Sequence, residues 1–160
     1  MGTQSVRQFY GDDHKRLDDL FHQFQAAKQR SFAEARRLFS EFQAGLEQHL
    51  VWEEEILFPL FDKKFGHLAG SPTEIMRWEH WQIRQCLRAI ARKLAEGELA
   101  TEAEEMSLHA VLAPHSQKEE TLLYPVMDEI ITAHERGGIF AAMGKAPFVG
   151  AVHQTEVRAT

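Results

Sequence analysis

The chain has 160 residues, of which 44% are hydrophobic and 26% are charged, and this balance is typical of one globular domain. A formal net charge of −6 argues against general binding to nucleic acid, and a single cysteine excludes an internal disulfide framework. No apolar run approaches the ~20 residues that a membrane span needs. The first residues lack the apolar stretch of a signal peptide, so we expect a cytoplasmic protein without a membrane partner.

Helix-start signals divide the chain into four predicted helices. Ser5, Ser31, Ser71 and Thr101 are each followed three residues later by glutamine or glutamate, which is the capping-box pattern. The predicted helices span roughly residues 5–29, 32–64, 72–96 and 102–136, and no alternating pattern favours a strand. Apolar residues recur at steps of three and four, as in helices that face a common core. Because the connections are short, we expect an all-α, up-down-up-down four-helix bundle.

The predicted bundle occupies residues 1–137, and residues 138–160 form a predicted C-terminal tail. The pair Gly137–Gly138 marks the boundary between them, because glycine is a frequent helix stop. The tail is rich in glycine and scattered apolar residues, which is compatible with a segment packed on the bundle or partly disordered.

The sequence repeats at an offset of 66 residues. The segment HLVWEEEILFPLFD, which begins at His49, corresponds to HSQKEETLLYPVMD, which begins at His115. The first helix of each half also corresponds, with His14 matching His80. The chain is therefore predicted to consist of two repeated helical hairpins with approximate twofold symmetry.

Six ionisable residues occupy positions on the predicted core stripes: His14, His49, Glu53, His80, His115 and Glu119. Each His-x-x-x-Glu pair places its two side chains on one helix face, one turn apart. A buried carboxylate is costly unless it pairs, binds a metal or becomes protonated, and no lysine or arginine shares these stripes.

A pair of divalent metal ions would supply the missing positive charge. Imidazole and carboxylate ligands suit iron, manganese, zinc or copper, so the residue types alone do not choose among them. The alternative is a structural polar cluster, since a lone core histidine is usually a hydrogen-bonded packing residue. Repetition of the pair in both hairpins, each with a further histidine on the partner helix, favours the metal site.

The segments DDHKRLDDLF, HLVWEEEILFPLF, EHWQIR and HSQKEETLLYPVM make the chain resemble hemerythrin-like proteins, also called HHE cation-binding domains. The resemblance covers roughly residues 5–136. It implies a four-helix bundle around a non-haem centre of two iron ions. By this resemblance, the four histidines are terminal iron ligands, and Glu53 and Glu119 bridge the irons together with an oxo or hydroxo group.

The resemblance leaves several functions open. Oxygen-carrying hemerythrins have a fifth histidine four residues before the position of His80, where this chain has Met76; the symmetry mate of Met76 is Tyr10. Related proteins that repair iron centres share the set of four histidines and two glutamates. We expect binding of a diatomic gas, oxygen or nitric oxide, for sensing, scavenging or storage. The alternatives are iron-centre repair or iron delivery, an enzyme that metabolises peroxide or nitric oxide, and a metal-stabilised interaction bundle whose protein partner is unknown.

Three glutamates beside the predicted ligands point about 100° away around their helices: Glu54, Glu79 and Glu120. We expect them at the surface or behind the ligands, where one of them could orient a histidine. Tyr10 lies one turn before His14 on the same stripe, so it faces either the metal layer or the packed core.

Overall fold

The computed structural model describes residues 4–66 and 69–145. These residues form helices α1 (Val6–Ala27), α2 (Phe32–Trp52), α3 (Phe58–Phe65), α4 (Pro72–Ala95), α5 (Glu102–Lys118), α6 (Tyr124–Ile130) and α7 (Ala133–Lys145). A π-helical turn, Glu53–Leu57, joins α2 to α3, and a second, Glu119–Leu123, joins α5 to α6. The described residues contain no strand, which confirms the all-α class.

Three of the four predicted helix starts are capped as expected. The hydroxyls of Ser5, Ser31 and Ser71 accept hydrogen bonds from the amides three residues later. The predicted cap at Thr101 is wrong, because its side chain makes no capping bond and instead donates to Glu105 at 2.6 Å. That hydroxyl also accepts a bond from Lys28, so it is already occupied by a polar cluster between α1 and α5.

The helices pack as two hairpins, α1 with α2 and α4 with α5, and α2 also contacts α4. The Val6 amide donates to Asp128, so the start of α1 lies beside α6. Lys28 donates to Thr101, so the end of α1 lies beside the start of α5. The exact up-down-up-down order and the domain division at residue 137 stay predictions.

The π turns shift the buried stripe by one residue. Each contains a hydrogen bond from an amide to the carbonyl five residues back, Phe58 to Glu53 and Tyr124 to Glu119. A proline follows immediately at position 59 or 125, and it cannot donate to the helical ladder. The steps of three and four residues that connect His115, Glu119 and Leu122 predict that Leu122 faces the core, but it is 63% exposed, whereas Leu123 is buried.

The C-terminal part of the chain differs from the prediction. The fourth bundle helix ends at Ile130 rather than near residue 136, and the backbone of Ile131 is extended. A capping box then starts α7, because the Thr132 amide donates to the Glu135 carboxylate and the Glu135 amide donates to the Thr132 hydroxyl. The glycine pair predicted to stop the helix lies inside α7, whose Ile139 is buried. Residues 146–160 of the predicted tail lie outside the described residues.

Two apolar clusters form the core. One contains residues such as Phe24, Phe42 and Leu87, and the other contains residues such as Leu57 and Met127. Along the chain, His14, Glu53, His80, His115 and Glu119 fall between residues of the two clusters, and His49 lies at the end of the first cluster, beside Leu50. The fold therefore places a polar layer inside an otherwise apolar interior.

Candidate metal centre

All six predicted ligands meet in this polar layer. They come from α1, α4, the last turns of α2 and α5, and the first residues of the two π turns. The side chain of His14 is 12% exposed, and the side chains of the other five are 2% exposed or less. The residues lie together as expected from the sequence; their role as metal ligands remains a prediction.

His14, His49 and Glu119 form the first group. The Nε2 atoms of the two histidines lie 3.1 Å apart, and His14 Nε2 lies 3.3 Å from Glu119 Oε2. One potential ligand atom from each residue fits within 4.8 Å of the others. This spacing is compatible with a single cation shared by the three side chains.

Glu53, His80, His115 and Glu119 form the second group by the same 4.8 Å criterion. The Nε2 atoms of His80 and His115 lie 3.1 Å apart. His80 Nε2 lies 3.3 Å from Glu53 Oε2, and His115 Nε2 lies 2.8 Å from Glu119 Oε1. Glu119 belongs to both groups, so one carboxylate connects the two potential cation positions.

The other ring nitrogen of each histidine contacts a carboxylate. His14 Nδ1 lies 2.7 Å from Glu120, and His80 Nδ1 lies 2.8 Å from Glu54. The remaining pairs are His49 with Asp13 at 2.9 Å and His115 with Glu79 at 2.7 Å. An Nδ1–H that donates to a carboxylate leaves the Nε2 lone pair directed into the polar layer. This is the tautomer that a metal requires.

These carboxylates extend the site beyond the sequence prediction. Glu54, Glu79 and Glu120 all orient histidines, although the sequence suggested this role for one of them at most. Asp13 was missed. The repeat offset of 66 contains the signal, because it pairs Asp13 with Glu79 and Glu54 with Glu120.

Basic side chains hold three of the four carboxylates in place. Arg16 contacts Asp13 at 2.8 Å, and Arg84 contacts Glu54 at 2.7 Å. Lys118 contacts Glu79. Among the described residues, no lysine or arginine pairs with the fourth carboxylate, Glu120, whose side chain is 43% exposed. The His14 corner is therefore the least restrained part of the layer.

The carboxylates dominate the electrostatics of the layer. Burial disfavours the charged form of His14, but Glu119 and Glu120 outweigh burial and raise its pKa to about 9. Burial likewise opposes the charge on His80, yet Glu119, Glu53 and Glu54 raise its pKa to about 11. Burial favours the neutral form of Glu119, but the surrounding histidines hold its pKa well below the ordinary value. Without a metal, this layer attracts protons, which a bound cation would displace.

Two tyrosines, whose rings stack with centroids 4.9 Å apart, close one side of the layer. The Tyr124 hydroxyl donates to Glu53 Oε1 at 2.6 Å and lies 3.1 Å from Glu119 Oε2. The Tyr10 hydroxyl is buried and has no hydrogen-bond partner among the described residues. Burial, together with Glu119 and Glu53, raises the pKa of both phenols well above the usual range.

The donor set fits a metal. Glu53 Oε2 and Glu119 Oε1 are fully buried, and no hydrogen bond satisfies either atom within residues 4–66 and 69–145. The Nε2 atoms of His80 and His115 lie beside them, and these nitrogens present lone pairs once a bound cation displaces the protons that the metal-free layer attracts. Buried acceptors that face one another need positive charge between them.

A cavity of about 460 Å³ opens beside His14 and Glu120, between α1 and α5. Hydrogen bonds connect the two sides of the cavity at both ends: His14 contacts Glu120 at one end, and Gln25 donates to Glu105 at the other. Its walls are mainly apolar and include Leu17, Phe21, Phe42, Leu46, Leu108 and Leu112. The cavity therefore reaches the polar layer at its least restrained corner.

Comparison with protein families identifies the chain. The hemerythrin HHE cation binding domain matches residues 7–109. The protein belongs to this family of cation-binding domains. The matched span includes His14, His49, Glu53 and His80, and the second repeat supplies His115 and Glu119 beyond it. No curated protein and no solved structure matches the chain.

Across the described ranges, no helix combines the length and apolar character needed to cross a membrane. The cytoplasmic location expected from the sequence stays a prediction.

Proposed function

We propose that the polar layer holds two iron ions and that the protein uses them to bind or react with a diatomic gas. In this proposal, His14 and His49 bind one ion, His80 and His115 bind the other, and Glu53 and Glu119 bridge them. The observation that carries it is the convergence of four Nε2 atoms and two carboxylates in one buried layer, with Glu119 common to both groups.

Family membership favours iron over the other metals that these ligands accept. Iron bound in this way would supply redox chemistry and coordination positions for a small ligand. The protein's own residues would hold the site ready for it. Asp13, Glu54, Glu79 and Glu120 retain the Nδ1 protons, which fixes the orientation of each imidazole.

The surroundings of the site support a small, weakly polar ligand such as oxygen or nitric oxide. Five of the six proposed ligands are almost fully enclosed, and apolar clusters lie on both sides of the layer. The cavity beside His14 offers a short path with mainly apolar walls. An apolar shell limits the access of water and ions more than that of a neutral diatomic molecule.

The same corner favours a second candidate function, iron delivery. The carboxylate that orients His14 is half-exposed and lacks a basic partner among the described residues, so the ion beside it would be released more easily than its neighbour. Delivery predicts rapid transfer of one iron per chain to an external chelator while the second remains bound. Equal release rates for both ions would argue against this function.

The proposed function is tested by anaerobic purification from iron-replete cells, elemental analysis and titration of the reduced protein with nitric oxide. We expect two irons per chain and an optical change that saturates with nitric oxide. His80→Ala provides a comparison variant that should lose iron. A wild-type protein without metal, or with one tightly bound zinc, would contradict the iron centre. Two irons that show no response to either gas would contradict the gas-binding function alone.

A further inference from the structure

The Tyr124 hydroxyl lies within the first group of proposed ligands. Its oxygen is 3.4 Å from the Nε2 atoms of both His14 and His49 and 3.1 Å from Glu119 Oε2. It also lies 2.6 Å from Glu53 Oε1. The π turn produces this position, because the Tyr124 amide bonds to the carbonyl of Glu119, five residues earlier.

The single proton of the Tyr124 phenol cannot serve every acceptor that lies around it. A phenol has one proton, and Glu53 is the closest acceptor for it. His14 and His49 direct Nδ1 to carboxylates, so once a cation displaces the proton at Nε2 these nitrogens present lone pairs toward the phenol oxygen. Glu119 Oε2 is a further acceptor. Four atoms with lone pairs therefore converge with too few protons to connect them.

The separations among these atoms match those of ligands around one cation. Five of the six distances among the four atoms run from 3.1 to 3.4 Å. Ligands at ~2.1 Å from a metal are about 3.0 Å apart at right angles and about 3.4 Å apart in a tetrahedron. The phenol oxygen thus has the spacing of a fourth ligand.

We propose that Tyr124 binds, as a phenolate, the metal held by His14, His49 and Glu119. This inference rests on the proposed function, because it assumes an occupied centre. On binding, the Oη–H bond breaks and an oxygen–metal bond forms. The proton passes first to Glu53 Oε1 and then to solvent, which leaves Glu53 ionised and able to bridge the two ions. The oxidation state of the metal does not change in this step.

The repeat makes the two metal positions unequal. The symmetry mate of Tyr124 is Phe58, which has no ligand atom. In the group around the second position, Glu53 joins His80, His115 and Glu119, and among the described residues no phenol is present. An anionic phenolate stabilises a trivalent ion more than a divalent one, so the first position should favour the ferric state. Such a bias works against reversible oxygen carriage.

Tyr10 provides a matched control. Its ring stacks on Tyr124 and its hydroxyl is buried, so Tyr10→Phe removes a similar group from the same pocket. Tyr124→Phe places at this position the residue that the other repeat already has, with little change in packing. Both variants would be compared with the wild type after aerobic oxidation, with circular dichroism and iron content measured on each.

The measurement is the visible absorption and resonance Raman spectrum of the oxidised protein. We expect a phenolate-to-iron charge-transfer band in the wild type and in Tyr10→Phe, and loss of that band in Tyr124→Phe. Wild-type protein labelled with ring-deuterated tyrosine should show shifted phenolate modes, which tests for tyrosine ligation without any substitution.

The outcomes separate this inference from the proposed function. A wild-type protein with two irons per chain but without a phenolate band would overturn the ligand assignment and leave the iron centre intact. Loss of the band in Tyr10→Phe, with retention in Tyr124→Phe, would identify Tyr10 as the ligand and overturn the assignment to Tyr124. Failure of the wild type to bind iron would refute the proposed function itself.

Discussion

Removing the charge from Asp13 should weaken metal binding about tenfold. Asp13 accepts a hydrogen bond from His49 at 2.9 Å, and its side chain is 11% exposed. A hydrogen bond to a charged group contributes about 1.5–3 kcal/mol, and one between neutral groups contributes about 0.5–1.5 kcal/mol. Asp13→Asn replaces a hydrogen bond of the first kind by one of the second. The free energy of metal binding should weaken by roughly the difference, about 1.4 kcal/mol, which corresponds to about a tenfold change in affinity.

Glu120→Gln is the matched variant, because Glu120 orients His14 in the same ligand group. The Glu120 side chain is 43% exposed, so water replaces much of its effect and screens its charge. We expect its substitution to lower the affinity about threefold or less. The comparison thus tests the effect of burial at a single metal position.

The assay is a competition titration of the metal-free proteins with Zn²⁺ against a chromogenic chelator, repeated with Fe²⁺ under anaerobic conditions. Thermal unfolding of the metal-free variants controls for a general loss of stability. The reasoning would be refuted if Asp13→Asn bound metal as tightly as the wild type, or if Glu120→Gln lost more affinity than Asp13→Asn.

Further predictions concern the site and its surroundings. Chelation should lower the melting temperature measured by circular dichroism, because metal binds the folded layer and not the unfolded chain; unchanged melting would contradict a buried metal site. Lys28→Met should lower the free energy of unfolding, measured by urea denaturation, by about 3 kcal/mol, because Lys28 and Glu105 form a buried pair. Adding Glu105→Gln to that variant should restore part of the lost stability, because it removes the unpaired buried charge. Burial opposes ionisation of Glu105, but Lys28 and its neighbours lower its pKa, so its stabilising effect is complete above about pH 4.3 and is lost as the pH falls through the lower folded value. Gly11→Leu should slow the stopped-flow reaction with nitric oxide at unchanged iron content, since Gly11 lines the cavity and has open space for a side chain, whereas Gly137→Leu should not. Reduced wild-type protein should oxidise irreversibly in air, and Met76→His should move its optical behaviour toward reversible oxygen binding; reversible binding by the wild type would contradict this expectation.

The sequence was sufficient to predict the polar layer because its ligands repeat at fixed helical spacing. His49 with Glu53 and His115 with Glu119 fall on core stripes, and the structure brings both pairs together. Asp13 was missed because it lies off its own stripe and reaches His49 only across the α1–α2 interface. Such contacts depend on how two helices are set against each other, which the period of one helix does not specify.

The role of Tyr124 was hidden by the local helix geometry. At the usual spacing of 3.6 residues per turn, a residue five positions after Glu119 lies about 140° around the helix from it. The π turn contains an additional residue, so Tyr124 returns to the face of Glu119 and Leu122 turns outward. The proline that follows each turn is visible in the sequence, but proline in a helix indicates a bend and does not specify a change of register.

The breaks in the twofold repeat fall on the same side of the polar layer. In the half with His80 and His115, Arg84 and Lys118 restrain the carboxylates that orient the histidines. On the side of the layer with His14 and His49, Glu120 is half-exposed and the cavity reaches His14. Tyr124 also lies on this side, where the other repeat has a phenylalanine. A duplicated hairpin supplies two equivalent positions at first, so later differences indicate where the two positions have separate roles. We therefore expect the position beside His14 to exchange ligands with solvent, and the position beside His80 to keep its ion and maintain the fold.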